Sequence, residues 1–344
     1  MLERPTISPA DIIACLEADY GLSIAHIVFL PLGADPDTAV YRAVANDTTA
    51  YFVKLRRGNF PQATVALPNW LAASGMQHII APLATQSTGA LWTQLDSFTL
   101  ILYPFVAGHS AFASSLSSDQ WVEFGVALHQ LHTAAVPPAL SRELPHETYT
   151  AYWRNRLSAF QKQAAEMAFA DPSATELARV LQHKHDTINH MVTRAAQLGQ
   201  FLAVQPLEQC LCHGDIHAWN ILVDAADRLF LVDWDTLIVA PKEHDLMFIG
   251  AGIGGIWNTA QEAAWFYRGY GDTALNLTAL TYYRYERIVQ DFAVTCEQLL
   301  TSNAGGDDRA VMLHDLITQF QPDSVVAMAY ATDERLQAQP SNKE

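Results

Sequence analysis

The sequence predicts an α+β protein in two unequal parts, a small antiparallel β-rich part followed by a larger, mainly helical one. Three observations carry this expectation. Up to Tyr103, short apolar runs alternate with a period of two and are separated by turn residues. From Leu116 onward the apolar residues recur mostly at helical spacing. Strands come first and helices later, which is segregation and not strand–helix–strand alternation. The division is expected between residues 103 and 104.

A first helix is expected over residues 8–19, with Ser8 as N-cap, Pro9 at the first helical position and Gly21 just past the end. Strands are expected over residues 24–30 and 40–45, joined by a loop rich in Pro, Gly and Asp. A third strand over residues 51–55 carries Lys54. A helix over residues 63–74 contains Pro68, which removes a backbone bond and favours a kink. Strands over residues 90–94 and 99–103 complete this part, stopped by Pro104. Helices are then expected over residues 118–133, 148–170 and 174–198, followed by a β-rich island over 211–232 and further helices after Glu243.

Half of the 344 residues are hydrophobic and about a sixth are charged, an ordinary globular composition. A chain of this length usually forms two structural units and buries roughly three quarters of its unfolded surface. The four cysteines are Cys15, Cys210, Cys212 and Cys296. Cys210 and Cys212 form C-x-C, but no second cysteine pair completes a zinc site, so they read as small apolar packing residues. The first twenty residues have neither the basic nor the apolar region of a secretory signal. No stretch approaches the roughly 20 apolar residues of a membrane span. A cytoplasmic, reduced protein is expected. Acidic residues outnumber basic ones 36 to 20, for a formal charge of −16. That surface repels nucleic acid and anionic lipid, which argues against both as partners. It serves solubility, and it would also draw in a small cationic substrate.

The informative stretch is His213-Gly214-Asp215, with Asn220 five positions after the aspartate and Val232-Asp233-Trp234-Asp235 after a short turn. Phosphoryl transfer needs such a set. One carboxylate, here Asp215, accepts the proton of the attacking hydroxyl. An amide and a carboxylate, here Asn220 and Asp233, suffice to hold Mg²⁺, which keeps several of its waters.

H-G-D-x-x-x-x-N followed by V-D-W-D resembles the aminoglycoside phosphotransferase branch of the kinase-like superfamily. Residues 31–38, 51–55, 103–105, 240–250, Trp257 and 283–291 resemble, more narrowly, the spectinomycin phosphotransferases. The resemblance covers nearly the whole chain. It implies a bilobal protein-kinase-like fold with a nucleotide-binding N-lobe (1–103) and a catalytic, substrate-binding C-lobe (104–344). It implies ATP and Mg²⁺ as cofactors, with Asp215, Asn220 and Asp233 catalytic. Lys54 would reach the nucleotide phosphates, Gly33 and Asp35 would lie in the phosphate loop, and Tyr103 and Phe105 would form the hinge beside the adenine. The sequence departs from the family pattern at two places. No Asp or Glu occurs between Lys54 and Asp96, so Gln62 stands where a helix glutamate usually pairs with the lysine. The phosphate loop has one glycine and no glycine series.

Three rival readings exist. His213, Asp215 and His217 form H-x-D-x-H, a possible metallohydrolase set, but this leaves Asn220 and Asp233 unexplained. His183 with His185, and His129 with His132, lie on helical patterns, where packing or a satisfied core histidine is the commoner role. Gly108-His109-Ser110-Ala111-Phe112 nearly matches G-x-S-x-G, but Phe112 occupies the place that a tight nucleophile turn reserves for a small residue. A non-catalytic nucleotide-binding pseudokinase fits Gln62 and the glycine-poor loop, but not the retention of all three acidic and amide groups.

The resemblance implies as substrate a hydroxyl of an aminocyclitol or aminoglycoside antibiotic, spectinomycin first. A choline, homoserine or sugar kinase is the alternative. Asp235, Glu243, Asp245, Glu286 and Asp291 are the carboxylates after the metal-site motif begins. Asp235 is the first choice for the substrate side, with Glu286 and Asp291 next. Asp245 lies in an apolar run and reads as a buried anchor. Trp257 would either wall the substrate pocket or belong to the core.

Overall fold

The structure, a computed structural model, describes residues 5–33, 37–306 and 308–339. Helix α1 (Pro9–Tyr20) starts where the Ser8 hydroxyl accepts the Asp11 N–H at 3.1 Å, and it ends at Gly21. It is followed by β1 (Ile24–Leu30), β2 (Thr38–Ala45), β3 (Ala50–Arg57), α2 (Ala63–Ala73), β4 (Thr93–Leu95), β5 (Phe98–Pro104) and β6 (Gly108–Ser110). Then come α3 (Ser118–His132), α4 (Pro138–Ser141), α5 (Tyr152–Glu166), α6 (Pro172–His183), α7 (His185–Leu202) and β7 (Cys210–Cys212). The chain continues through β8 (Ile221–Asp224), β9 (Leu229–Leu231), β10 (Ile238–Ala240), α8 (Glu243–Leu246) and α9 (Ala260–Tyr270). It closes with α10 (Leu277–Thr301), α11 (Asp308–Thr318) and α12 (Val325–Gln337). The fold is α+β, an N-terminal antiparallel sheet followed by a mainly helical region, as in protein kinases.

The chain forms two compact units. The first comprises Met1–Ser115, Ala135–Leu144 and Ala218–Leu237. Its main sheet has the order β1-β2-β3-β5-β4, antiparallel throughout. Successive residues of a strand face opposite ways, so Val53 and Leu55 enter the core formed with Ile12, Leu16, Leu100 and Leu102. Lys54, between them, is thereby turned to the other face. Helix α2 runs through Pro68, which is buried within it. A smaller sheet, β6-β8-β9, holds the hairpin between Asn220 and Asp233.

The second unit comprises Leu116–Ala134, Pro145–His217 and Ile238–Glu344. It is organised on α10, whose 25 residues give it the length to pack against α5, α7 and α12. Two expectations differ from the fold here. The helix expected over 174–198 is two helices, because Lys184 (φ −96°, ψ 11°) leaves helical geometry between α6 and α7. The island over 211–232 does not form one sheet. β7 pairs with β10, Cys212 opposite Ile238, while β8 and β9 pair with each other in the first unit. Among the described residues, no helix is long and apolar enough to cross a membrane.

Helices α3 and α9 approach so closely that side chains are excluded from the contact. A Cβ on Gly269 would lie 1.9 Å from the Val122 carbonyl oxygen, and one on Gly125 would lie 2.1 Å from that of Phe266. Both obstacles are backbone, so neither can swing aside. Gly269→Ala is therefore expected to lower the unfolding free energy by about 3 kcal/mol, the upper part of the range for overpacking. Chemical denaturation checks this, and a stability equal to the wild type contradicts the close approach.

Candidate active site

In the first unit the β8–β9 hairpin brings two predicted residues to its base. Asn220 ends a short 3₁₀ turn before β8, and its carbonyl accepts the Val232 N–H at 3.0 Å. Asp233 follows β9 with φ 64°, a left-handed conformation that costs a non-glycine residue energy. The 3₁₀ turn Trp234–Thr236 then turns the chain back, and Trp234 anchors it through an indole N–H donated to the Leu231 carbonyl. Asp235 is thus presented on the same side as Asp233.

Lys54 meets both carboxylates. Its Nζ lies 3.2 Å from Asp233 Oδ1 and 2.6 Å from Asp235 Oδ2. Arg56, two residues along β3, takes the other Asp235 oxygen at 2.8 Å. Burial opposes the charge of Lys54, but the carboxylates of Asp233 and Asp235 outweigh it and hold the ammonium above its ordinary pKa. Gln62, the position aligned with the family's helix glutamate, stands exposed before the first turn of α2. The lysine's counter-charge comes instead from the Asp-Trp-Asp turn, whose two-residue spacing was the signal available in the sequence. Asp235 accordingly sits in an ion-paired cluster with Lys54 and Arg56.

The other residues expected on the nucleotide side belong to the same stretch of sequence. Gly33 adopts φ 91°, and Asp35 falls outside the described residues. Tyr103 is opposite Phe52 in the β3–β5 ladder, and burial pushes its hydroxyl up to about 12. Phe105 donates its N–H to the Ala50 carbonyl at 3.1 Å, and the Arg42 guanidinium lies 5.0 Å from its ring centre.

The second unit holds Asp215. The loop that presents it leaves β7 at Cys212, and its backbone is held by Asp245. The His213 and Gly214 N–H groups donate to the two Asp245 oxygens at 2.7 and 2.8 Å. Asp245 is fully buried, and burial disfavours its charge. The hydrogen bond from His132, at 3.0 Å, and the nearby His244, with Nδ1 at 3.9 Å, still hold its carboxyl well below the usual range. It is the buried anchor expected from its apolar surroundings.

Asp215 itself is gripped from two sides. Arg287 Nη1 donates to Oδ1 at 2.5 Å, and His217 Nε2 lies 3.2 Å from Oδ2. Against the cost of burial, Arg287 first and His217 second keep this carboxylate ionised far below the ordinary range. Arg287 also donates Nε to Asp291 at 2.9 Å, so one guanidinium joins two of the predicted carboxylates. Glu286, next to it on α10, turns instead to Arg154, whose Nη2 also binds the Tyr149 and Thr150 carbonyls. Burial pushes the Glu286 carboxyl up to about 7 in spite of Arg154. Trp257 is 4 % exposed and packs on Trp121 and Phe124, with ring centres 4.9 and 5.5 Å away, so its indole belongs to an aromatic core. Arg287 and His217 were absent from the predicted site. The i,i+4 spacing of Arg287 and Asp291 marked an ion pair, but nothing in the sequence pointed it at Asp215.

The chain is similar to known proteins. Residues 26–284 match the model of the phosphotransferase enzyme family. A spectinomycin phosphotransferase crystallised with ADP and spectinomycin is 34 % identical, with a TM-score of 0.89, over 96 % of this chain and 100 % of that one. The AMP-bound complex of a spectinomycin phosphotransferase gives 33 % identity and a TM-score of 0.85, over 95 % and 99 % of the two chains. An aminoglycoside phosphotransferase from Alicyclobacillus acidocaldarius shares the fold, with a TM-score of 0.66 at 15 % identity over 97 % and 98 %. No curated protein sequence matches the chain significantly. With the family model covering most of the chain and a phosphotransferase 34 % identical over nearly all of it, the protein belongs to the phosphotransferase enzyme family and is a small-molecule kinase.

Proposed function

We propose that the protein transfers the γ-phosphoryl group of ATP to a hydroxyl of an aminocyclitol antibiotic, spectinomycin in the first place. The observation that carries this reading is the end-to-end similarity to a phosphotransferase crystallised with ADP and spectinomycin. The chain's charge of −16 supports a cationic substrate, which such a surface draws in from solution.

The donor set suits Mg²⁺. Asn220 offers an amide oxygen and is nearly buried, while the Asp233 side chain is half exposed, and both are hard oxygen ligands. These two residues would hold the ion, which when bound supplies positive charge against the phosphates. Lys54 adds a second positive charge. Asp235 keeps Lys54 in place, taking the part that a helix glutamate plays in other kinase-like proteins. Gly33, Tyr103 and Phe105 are the nucleotide-side contacts in this reading, and Asp35 would join them.

Asp215 accepts the hydrogen bond of the substrate hydroxyl and orients its oxygen. As the new P–O bond forms and the bond to ADP breaks, the hydroxyl proton passes to Asp215. A carboxylate of low basicity suffices, because the transition state is loose and the proton leaves late. Arg287 and His217 fix the carboxylate's position and keep it ionised. Glu286 and Asp291 are the substrate-side carboxylates available in the second unit.

Steady-state ADP release tests the substrate. Spectinomycin-dependent turnover supports the proposal. Turnover with choline, homoserine or a sugar instead retains the kinase and replaces the substrate. Asp215→Ala is expected to lose at least about 100-fold in kcat while nucleotide still binds. Asp233→Ala is expected to weaken Mg-nucleotide binding itself, as read by calorimetry. Full activity in both variants contradicts the assignment.

The pH profile follows from the ion pairs. With Asp215 held far below its ordinary pKa, kcat/KM has no acid limb from this group above about pH 5. In Arg287→Gln the depression is relieved and the carboxyl titrates closer to the ordinary range. A limb then appears as the pH falls towards about 4. An acid limb in the wild type that survives unchanged in this variant contradicts the role given to Arg287.

A further inference from the structure

No second cysteine pair completes Cys210-x-Cys212 in the sequence, but the fold supplies a histidine. β7 is extended, so residues two apart share a face, and the two sulfurs lie 3.7 Å apart. The last turn of α3 brings His132 to them. These are the three side chains, among the described residues, whose metal-ligating atoms all fall within 4.8 Å of one another. All three belong to the second unit.

The dimensions suit a tetrahedral ion. Zn–S bonds of about 2.3 Å place two sulfurs roughly 3.8 Å apart, so the cysteines already span one edge of such a site. The imidazole lies within 4.8 Å of the sulfurs, against about 3.5 Å in a tetrahedral site, so closing it needs a shift of no more than about 1.3 Å.

The histidine is prepared for this use. Its Nε2 lies 3.0 Å from the buried Asp245 carboxylate, which fixes the proton on that nitrogen. The lone pair is then on Nδ1, where the Tyr270 hydroxyl donates at 2.7 Å. An imidazole backed by a carboxylate is the common form of a metal-binding histidine. An ion on Nδ1 takes the place of that hydroxyl, leaving the remaining position to water. The thiols give up little, since their acceptors, the Ala240 and Pro241 carbonyls, are 3.5 to 3.7 Å away. Cys210 is partly exposed and opens the site to solvent, whereas Cys212 is buried.

We infer that His132, Cys210 and Cys212 form a binding site for a thiophilic divalent cation, Zn²⁺ in the first place, which ties α3 to β7. Two sulfurs and an imidazole are the wrong donors for Mg²⁺, so the site is chemically distinct from Asn220 and Asp233. Burial raises the Cys212 thiol well above its ordinary pKa, so the ion must displace the proton on binding. The site also bears on catalysis. Cys212 directly precedes the His213-Gly214-Asp215 loop, and His132 holds the carboxylate that binds that loop.

Metal-stripped, fully reduced enzyme titrated with Co²⁺, Cd²⁺ and Zn²⁺ tests the inference. The expected result is one ion per chain, thiolate-to-metal absorption with Co²⁺ and Cd²⁺, release of two protons, and no displacement by millimolar Mg²⁺. Stoichiometric Zn²⁺ should raise Tm. Cys210→Ser and Cys212→Ser should each weaken binding at least about tenfold and remove the Tm shift, while Cys15→Ser retains both. Cys210→Ser is nearly isosteric at a partly exposed position, so it keeps the test valid if the Cys212 variant fails to fold. Absence of thiolate absorption in folded, reduced protein overturns the site, as does unchanged affinity in Cys210→Ser.

Discussion

The hydrogen bonds that Asp245 accepts from the backbone of His213 and Gly214 fix the loop presenting Asp215, and the local order of the second unit follows from them. A fully buried carboxylate is costly unless its oxygens are saturated with donors. Backbone N–H groups in a tight loop have the complementary need, since no strand or helix partner is available to them. Each therefore answers the other's requirement. His132 completes the set and links it to α3, which the glycine contacts in turn hold against α9. The position of one loop thus depends on packing two helices away.

Lys54 and Asp215 are each held by partners within their own unit. Lys54 lies between Asp233 and Asp235, and Asp215 lies between Arg287 and His217. Each cluster is larger than a simple pair: Arg56 shares Asp235, and Asp291 shares Arg287. Shared ions restrain the side chains more than isolated pairs do, because moving one member disturbs two contacts. In the proposed reaction Lys54 meets the phosphates and Asp215 the hydroxyl, and both side chains are pre-positioned in this way.

Local physics made much of this fold legible. Ser8, Pro9 and Gly21 mark the two ends of α1, and alternation in the β3 segment separates Lys54 from Val53 and Leu55. The candidate set of Asp215, Asn220 and Asp233 stood out because its members are close in sequence. Long-range partners were not. Nothing near Lys54 announces Asp235, 181 residues away, and nothing near Asp215 announces Arg287, 72 residues on. The break at Lys184 was hidden too, since the residues flanking it are compatible with helix and only the packing of α6 and α7 separates them. Cys210 and Cys212 looked incomplete for the same reason, their histidine being 78 positions upstream of the nearer one.

The first unit is assembled from three separate stretches, the last of which is Ala218–Leu237. β6 gains its partner β8, and Lys54 gains Asp233, 179 residues later, only when that stretch has been synthesised. At about 5–20 residues per second, a ribosome needs on the order of ten to forty seconds to span that gap. Throughout that interval Lys54 and Arg56 on β3 lack their carboxylates, and β6, once made, waits unpaired for β8. The pace of translation over the intervening helices therefore sets how long the emerging chain is exposed to wrong partners.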